Sequence, residues 1–435
     1  MLALPYRFGS NLYQERWLII MLLFFCAVIQ WQYITKIQHS EHGTRSAFLR
    51  WRVQLQDLDD GLNVWDKYAY PNPPIMAVIL RPFLQLSPIT GAMLWFACKA
   101  CMAILSILAM LTLLNDPERP FPVWGKLIAC ALALRPIEGD LIHGNVNLLI
   151  LFLLVTSLYA FCQRWECLAG ILLGLSIACK VTPVLFIVYF LWKRAWRTLL
   201  GTLIGMLLFI LVVPGVVFGW NENLGYLRSW YHQMVTPYAA GIVTSEHKNQ
   251  SLPGLLSRML TDEASFSRYE GEEKIVLDTH NMASWNRTAV QGIVIGALAL
   301  FALSVMWKCR TSTERRPRWQ LMAEFSIIIL GMLLFCERTW KHHCVTLLFP
   351  FSVAAYGLSS SSFSRGMRCA LGMTLAMVAV LMLSTTTGHV DAELAAQSRF
   401  GKWAQVYGAY VWVFLLLLAA MLVMLSHERT REISS

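Results

Sequence analysis

Charge is the scarce ingredient of this chain. Asp, Glu, Lys and Arg make up 14% of its 435 residues, while 57% are hydrophobic. Soluble domains carry about 25% charged residues, so a soluble enzyme with one large core is excluded and a polytopic membrane protein is indicated. The charge that exists leans positive, with 36 Lys and Arg against 26 Asp and Glu. That excess does not require nucleic acid. Many of the cations sit in short segments between apolar runs, as Lys308, Arg310, Arg315, Arg316 and Arg318 do, and read as cytoplasmic loops under the positive-inside rule.

Other absences narrow the class further. No small-residue cleavage site follows the first apolar run at 17–34, so that run is read as an anchor that stays. The eleven cysteines lie mostly inside apolar runs, as Cys26, Cys98, Cys101, Cys130 and Cys179 do. They are read as small core residues, not as a disulfide framework or a zinc site. No stretch resembles a soluble α/β domain with a glycine-rich phosphate loop. No internal repeat relates the two halves.

What is present is a series of apolar runs. A bilayer needs roughly 20 residues per helix. Runs near that length lie at about 17–34, 88–114, 123–140, 145–162, 167–180, 182–193, 198–219, 287–307, 320–336, 343–358, 369–386 and 407–425. The expectation is an all-α polytopic membrane protein of about 12 transmembrane helices, one integral domain over 1–435, with both termini cytoplasmic. A long first loop, 36–72, and a large loop after the seventh span, 220–285, then lie on the outer face. Within the first loop, the apolar spacing of Phe48, Leu49, Trp51, Val53, Leu55 and Leu58 is helical and suits an interfacial helix ended by Gly61. Tyr70-Pro71-Asn72-Pro73-Pro74 reads as extended, with a helix able to restart at Pro74. The runs 167–180 and 182–193 are short and are broken at Lys180-Val181-Thr182-Pro183; interrupted helices at membrane depth line cavities.

Polar clusters share the expected outer face. The densest is Glu337-Arg338-Thr339-Trp340-Lys341-His342-His343, set between two apolar runs. Ionisable groups there mark a functional site by default; the plain alternative is a snorkelling turn that anchors helix ends. Others are Arg135 to Asn147, which includes Glu138, Asp140 and His143; Lys180 at the helix break; His247 to Gly254; and the carboxylates of the first loop. Cations gathered with carboxylates on one face indicate an anionic ligand such as a phosphate beside a general base. A second reading of the same pattern is a carrier of sugars or lipids, although a carrier typically shows related halves and binding groups near the midplane.

Five stretches of the chain, together, resemble glycosyltransferase family 87, the polyprenol-phosphate-mannose-dependent mannosyltransferases within the GT-C superfamily. Gly61-Leu62-Asn63-Val64-Trp65-Asp66 with Tyr70-Pro71-Asn72-Pro73-Pro74 and Pro82 resembles the family's segment after the first span. Gly144-Asn145-Val146-Asn147 is similar to its Gly-Gln-x-Asn turn, with Asn145 in place of Gln. Gly170 to Pro183, followed by Lys193 to Arg197, is similar to its Lys-x-x-Pro hairpin. Trp340-Lys341-His342-His343 resembles its Trp-x-His-His motif, and Asn249-Gln250-Ser251 its large-loop Asn-x-Ser. The resemblance implies transfer of a hexose, mannose first, from a polyprenyl-phosphate donor to a lipid or glycan acceptor, in the inner (plasma) membrane, without metal, cofactor or nucleic acid.

It also implies roles. The family's early aspartate, its base, has no counterpart here; Glu41 is the nearest carboxylate and the first choice, with Asp57, Asp59 and Asp60 further on. His343, with His342 beside it, assists or binds phosphate. Lys180, Arg338, Lys341 and Arg135 hold the donor phosphate. Tyr70, Asn72, Asp140, Asn147, Asn249 and Trp340 contact substrate. The chemistry needs these parts. By analogy with glycoside hydrolysis the transition state is oxocarbenium-like, the leaving phosphate gains charge that preplaced cations stabilise, and a carboxylate takes the acceptor's proton.

Overall fold

Helices form wherever the apolar runs lie, and the polar residues cluster at their ends. The computed structural model describes residues 15–38, 46–116, 119–270, 273–386 and 398–427. In chain order the helices are α1 Arg16–Gln38, α2 Ala47–Asp59, α3 Val64–Tyr68, α4 Pro74–Leu84, α5 Pro88–Leu114, α6 Val123–His143, α7 Asn147–Cys162, α8 Glu166–Cys179 and α9 Leu185–Trp192. There follow α10 Trp196–Phe218, α11 Trp220–Met234, α12 Leu252–Leu260, α13 Arg287–Lys308, α14 Arg318–Leu334, α15 Leu348–Ser359, α16 Arg365–Ser384, α17 Ser398–Val406 and α18 Ala409–His427. Six among the described residues are long and apolar enough to cross a bilayer: α1, α5, α10, α13, α16 and most of α18. Against the expected count of about twelve, six helices among the described residues have full span length, with shorter apolar helices among the rest. Several outward faces are apolar: Ile295, Leu300 and Leu303 on α13 are 66%, 67% and 59% exposed. Such faces fit lipid, where a helix keeps its backbone satisfied internally.

The chain divides into two compact units, Met1–Asn115 with Ala133–Thr236, and Asp116–Leu132 with Pro237–Ser435. In the first unit, α2 buries Phe48, Leu49, Trp51 and Leu55 and exposes Val53, as its period requires. Asn63 caps α3 by accepting from Trp65 N and Asp66 N. Pro74 opens α4 at a position where its missing N–H costs nothing. The first helix of the large loop, α11, belongs here too: Ser229 Oγ donates to Asp66 Oδ2 at 3.0 Å and Trp230 Nε1 donates to Pro71 O at 3.1 Å.

Two expectations need correction. Arg135 to His143 is not a loop between spans but the last turns of α6, which runs through Pro136. Membrane helices tolerate such a proline because neighbours re-satisfy the freed carbonyl. The connection itself is only 144–146, and it needs glycine: Gly144 has φ +72°, and a Cβ there would lie 2.8 Å from Ser46 Oγ. The structure is also not purely helical. In the second unit, Phe266–Glu270 (β1) pairs antiparallel with Glu273–Asp278 (β2). The β-branched pair Ile275 and Val276 after Gly271 is the sequence signal that the loop reading passed over.

The break after α8 is real. Lys180 is extended, with φ −158° and ψ 123°, and a 3₁₀ turn, Thr182–Val184, carries Pro183 into α9. Packing of α8 is set by glycine. Gly170 and Gly174 on α8 face Gly201 and Gly205 on α10, four residues apart on each helix, so the two backbones touch. This is the small-residue crossing that lets membrane helices approach closely without a hydrophobic driving force. A Cβ at Gly174 would come 2.7 Å from Met206 N and Thr202 O, both backbone atoms that cannot swing away.

Gly174→Val should therefore cost about 1–3 kcal/mol through overpacking, read as a lower melting temperature of the detergent-purified protein. Gly292→Ala on α13, whose Cβ would meet nothing, should melt at or above the parent. Equal melting of the two variants would show that the α8–α10 approach is not tight.

Candidate active site

Most candidate residues fall into two clusters, one in each unit. The first is a chain of hydrogen bonds around the α6–α7 turn. Lys180 Nζ donates to Asn147 Oδ1 at 2.7 Å, and Asn147 Nδ2 donates to Asp140 Oδ1 at 2.9 Å. Asp140 Oδ2 then meets Lys99 Nζ at 3.4 Å, while the same ammonium donates to Asp140 O at 2.7 Å. Lys99 and Asp140 are fully buried and Asn147 nearly so. The sequence reading named Asp140, Asn147 and Lys180 and missed Lys99. A lysine in the middle of a 27-residue apolar helix was its available signal. The Asp140 carboxylate also accepts from Leu148 N, so it caps the first turn of α7. Asp140 and Asn147 are thus each tied to protein partners.

Tyr70 is buried beside this cluster, edge-on to Trp51 and Trp65 at 5.9 and 6.0 Å. Burial raises its phenol well above the ordinary range, against a smaller lowering from Asn72. Asn72 is buried too, and its carbonyl accepts from Trp65 Nε1 at 2.9 Å. Arg135 points to Glu138 at 2.8 Å and is largely exposed. Glu41 lies outside the described residues. Its flanks do not: Lys36 Nζ donates to Ile142 O at 3.1 Å, and Ser46 Oγ lies 2.8 Å from the Tyr33 hydroxyl, against Gly144. Of the alternative carboxylates, Asp57 accepts from Lys67 at 2.6 Å and Tyr68 at 2.5 Å, and Asp59 pairs with Arg81 at 3.0 Å. The bonds from Lys67 and then Tyr68 hold Asp57 below the usual carboxylate range.

The second cluster is the stretch 337–343 and the loop that carries it. Asn249 is fully buried and uses both ends of its amide. Nδ2 donates to Thr244 O and Glu337 O, each at 2.9 Å, and Oδ1 accepts from Thr339 N at 3.0 Å and Ser251 N at 3.1 Å. Gln250 N adds a 2.7 Å bond to Thr339 O. Asn249, expected to contact substrate, has a side chain that holds Glu337 and Thr339 in place. Beneath it sits Arg258, which the sequence reading overlooked. This fully buried guanidinium donates to five carbonyls, those of Ser245, Glu246, Asn249, Gln405 and Val406. Burial lowers it to about 10, so it stays charged at neutral pH, answered by peptide dipoles.

The motif held this way is half-buried. Trp340 lies edge-on to His342 at 5.3 Å and stacked with His343 at 6.3 Å, and Arg338 stands 5.6 Å above the Trp340 ring. Arg338 also meets Glu337 at 3.2 Å. Burial raises the Glu337 carboxyl despite the opposing pull of Arg338. His343 Nδ1 accepts from Trp340 N at 3.3 Å. A neutral ring arranged so carries its proton on Nε2. Lys341 Nζ donates to Thr385 O, just past the end of α16. Among the described residues no group of three or more His, Cys, Asp or Glu is placed to hold a metal. Cys98 and Cys101 do stand in C-x-x-C spacing, one turn apart on α5, and both are free thiols.

Glycosyltransferase family 87 matches this chain over residues 70–336. That stretch holds Tyr70, Lys99, Asp140, Asn147, Lys180, Asn249 and Arg258, and stops before Arg338. Two curated relatives, from Mycobacterium tuberculosis (strain ATCC 25618 / H37Rv) and Mycolicibacterium smegmatis (strain ATCC 700084 / mc(2)155), are each 25% identical to it. The alignments span 368 and 382 residues, covering 81% and 83% of this chain and 75% and 77% of the relatives. Both relatives bear the name polyprenol-phosphate-mannose-dependent alpha-(1-2)-phosphatidylinositol mannoside mannosyltransferase. No solved structure matches.

Asn249→Ala should destabilise the protein by about 2–6 kcal/mol, because it strands Thr339 N and Ser251 N, where buried donors cost about 1–3 kcal/mol each. Thermal melting of the purified protein measures this. A residue that only touched substrate would leave the melt unchanged.

Proposed function

The chain belongs to glycosyltransferase family 87, and we propose that it moves a mannosyl unit from a polyprenyl-phosphate carrier to a lipid or glycan acceptor on the outer face of the plasma membrane. The observation that carries this reading is Lys180. It is an ammonium at a helix break between apolar helices, fixed by Asn147 at 2.7 Å. An anionic headgroup on a lipid tail is the ligand such a cation suits, and both named relatives take a lipid-phosphate donor. Family membership leaves the carrier reading without a feature of its own.

In the step we propose, the bond from sugar C1 to the donor phosphate oxygen breaks as the acceptor hydroxyl attacks C1. The hydroxyl's proton goes to Glu41, and the polyprenyl phosphate leaves with its added charge met by Lys180. Within the same unit Arg135 supplies further positive charge and Tyr70 and Asn72 line the sugar. Arg338, Lys341, His343 and Trp340, which belong to the second unit, are assigned to phosphate and acceptor by the family resemblance alone. Glu41 as base is supported by its flanks at Lys36 and Ser46, both tied to the turn that leads into Asn147. It is also supported by the engagement of Asp57. A base works best with a pKa near the operating pH, and Lys67 and Tyr68 move Asp57 the other way.

Transfer of radiolabel from polyprenyl-phosphate-mannose in membranes tests the roles. Glu41→Gln should slow transfer by about 10²- to 10⁴-fold, as loss of a general base does, and Lys180→Met by about 10²- to 10³-fold, as loss of one charge-stabilising donor does. Asp57→Asn should remain active. An active Glu41→Gln beside a dead Asp57→Asn would move the base to the end of α2.

Orientation is tested separately. With the native cysteines replaced, Asp262→Cys in the large loop should react with an impermeant maleimide in intact cells, and Ser435→Cys should not. The reverse pattern would put the large loop in the cytoplasm.

A further inference from the structure

We propose that Lys99 and Asp140 are a positioning pair, which orients the Asn147 amide and through it aims the Lys180 ammonium at the leaving phosphate. The proposal rests on the functional reading above for the role of Lys180, and on geometry for the rest. Lys99 lies midway along α5, a spanning helix, and is fully buried. A charge at that depth is costly and persists only with a partner or a task. Its partner is Asp140, equally buried.

Each charge faces a helix end of the opposite polarity. Lys99 donates to a carbonyl in the last turn of α6, and Asp140 accepts from Leu148 N in the first turn of α7. The pair could therefore merely pin the turn. Asn147 is what gives it a further effect. Its amide could turn either way, and a carboxylate on one side settles the question. Nδ2 must face Asp140 Oδ1, so Oδ1 must face away, toward Lys180. Turned the other way, the amide would set its oxygen against a carboxylate and its N–H₂ against an ammonium. The order of polarity, from cation to carboxylate to amide to cation, is thus dictated from Lys99 outward. With Asp140 neutral, the amide is released and the Asn147 oxygen no longer holds Lys180 in one direction. Displacement of a group by about 1 Å can cost about 10²-fold in rate.

The test is a mutant cycle in the full-length protein reconstituted in vesicles. Lys99→Met/Asp140→Asn removes both charges together, which avoids an unpaired buried ion. Asp140→Asn alone is the second variant, since it leaves the Lys99 bond to the backbone carbonyl in place. The double variant should melt close to the parent, and Asp140→Asn alone should melt lower because Lys99 loses its counter-charge; both should lower kcat by about 10- to 100-fold and change KM for the donor little. Adding Lys180→Met should cost no more than Lys180→Met costs alone, because the pair acts through that residue. A parental kcat in the folded variants, or losses that multiply with Lys180→Met, would overturn the proposal. Reactivity of the Lys180 amine, read by mass spectrometry after brief labelling, follows orientation without turnover. It should rise severalfold in both variants, and an unchanged rate would overturn the proposal even if the parent proved to use another donor. A parent that transfers nothing from polyprenyl-phosphate-mannose, yet shows the labelling shift, would sink the donor reading and leave the positioning pair standing.

Discussion

A carboxylate with no exposed surface has to be answered in full by the protein around it, and Asp140 is answered on every side. Lys99 neutralises its charge, Asn147 and Leu148 N take up its lone pairs, and its own carbonyl receives both Lys99 Nζ and Gly144 N. Most features of the first unit that bear on chemistry follow from satisfying this one group. The α6–α7 turn is tight because Gly144 takes φ +72° beneath Ser46. The tightness brings Asn147 back over Asp140, and Asn147 in turn takes Lys180 from the break after α8. The glycine crossing of α8 on α10 holds that break at a fixed height. A buried ion pair is weak evidence for stability, since apolar replacements often do as well. Its value here is directional, because an apolar pair could not tell an amide which way to face.

The second unit answers a buried charge, that of Arg258, with peptide carbonyls and not with an opposite charge. The stretch 337–343 is too polar to pack as a span and too short to fold alone. It is held from below by Asn249, which bonds to Glu337 and Thr339, and Asn249 sits on a loop gathered by the five carbonyl bonds of Arg258. Arg258 suits this because a guanidinium offers five donors in a fixed fork. The histidines and tryptophan are thereby presented half-buried on a rigid base, an arrangement that favours preorganised charge stabilisation.

Much of this was legible in the sequence, for identifiable reasons. Apolar runs located the helices, because a membrane helix must be apolar over its whole length. Gly61, Pro74 and the Lys180-to-Pro183 break were readable because glycine and proline act locally. The polar motifs were visible as ionisable groups in apolar surroundings. What stayed hidden was partnership. Lys99 lies 41 residues before Asp140, and Arg258 reaches Val406, 148 residues on; no local pattern announces either. For the same reason the protein partners of Asp140, Asn147 and Asn249 were not legible: a polar residue beside a motif reads alike whether it faces a ligand or a backbone.

The central claim is that the donor is a lipid-linked phosphosugar. Purified protein in lipid vesicles, given acceptor lipid and either polyprenyl-phosphate-[14C]mannose or a nucleotide-linked [14C]mannose, decides it in one comparison. The account predicts labelled product from the polyprenyl-phosphate donor and none from the nucleotide. Product from the nucleotide-linked sugar alone would contradict it.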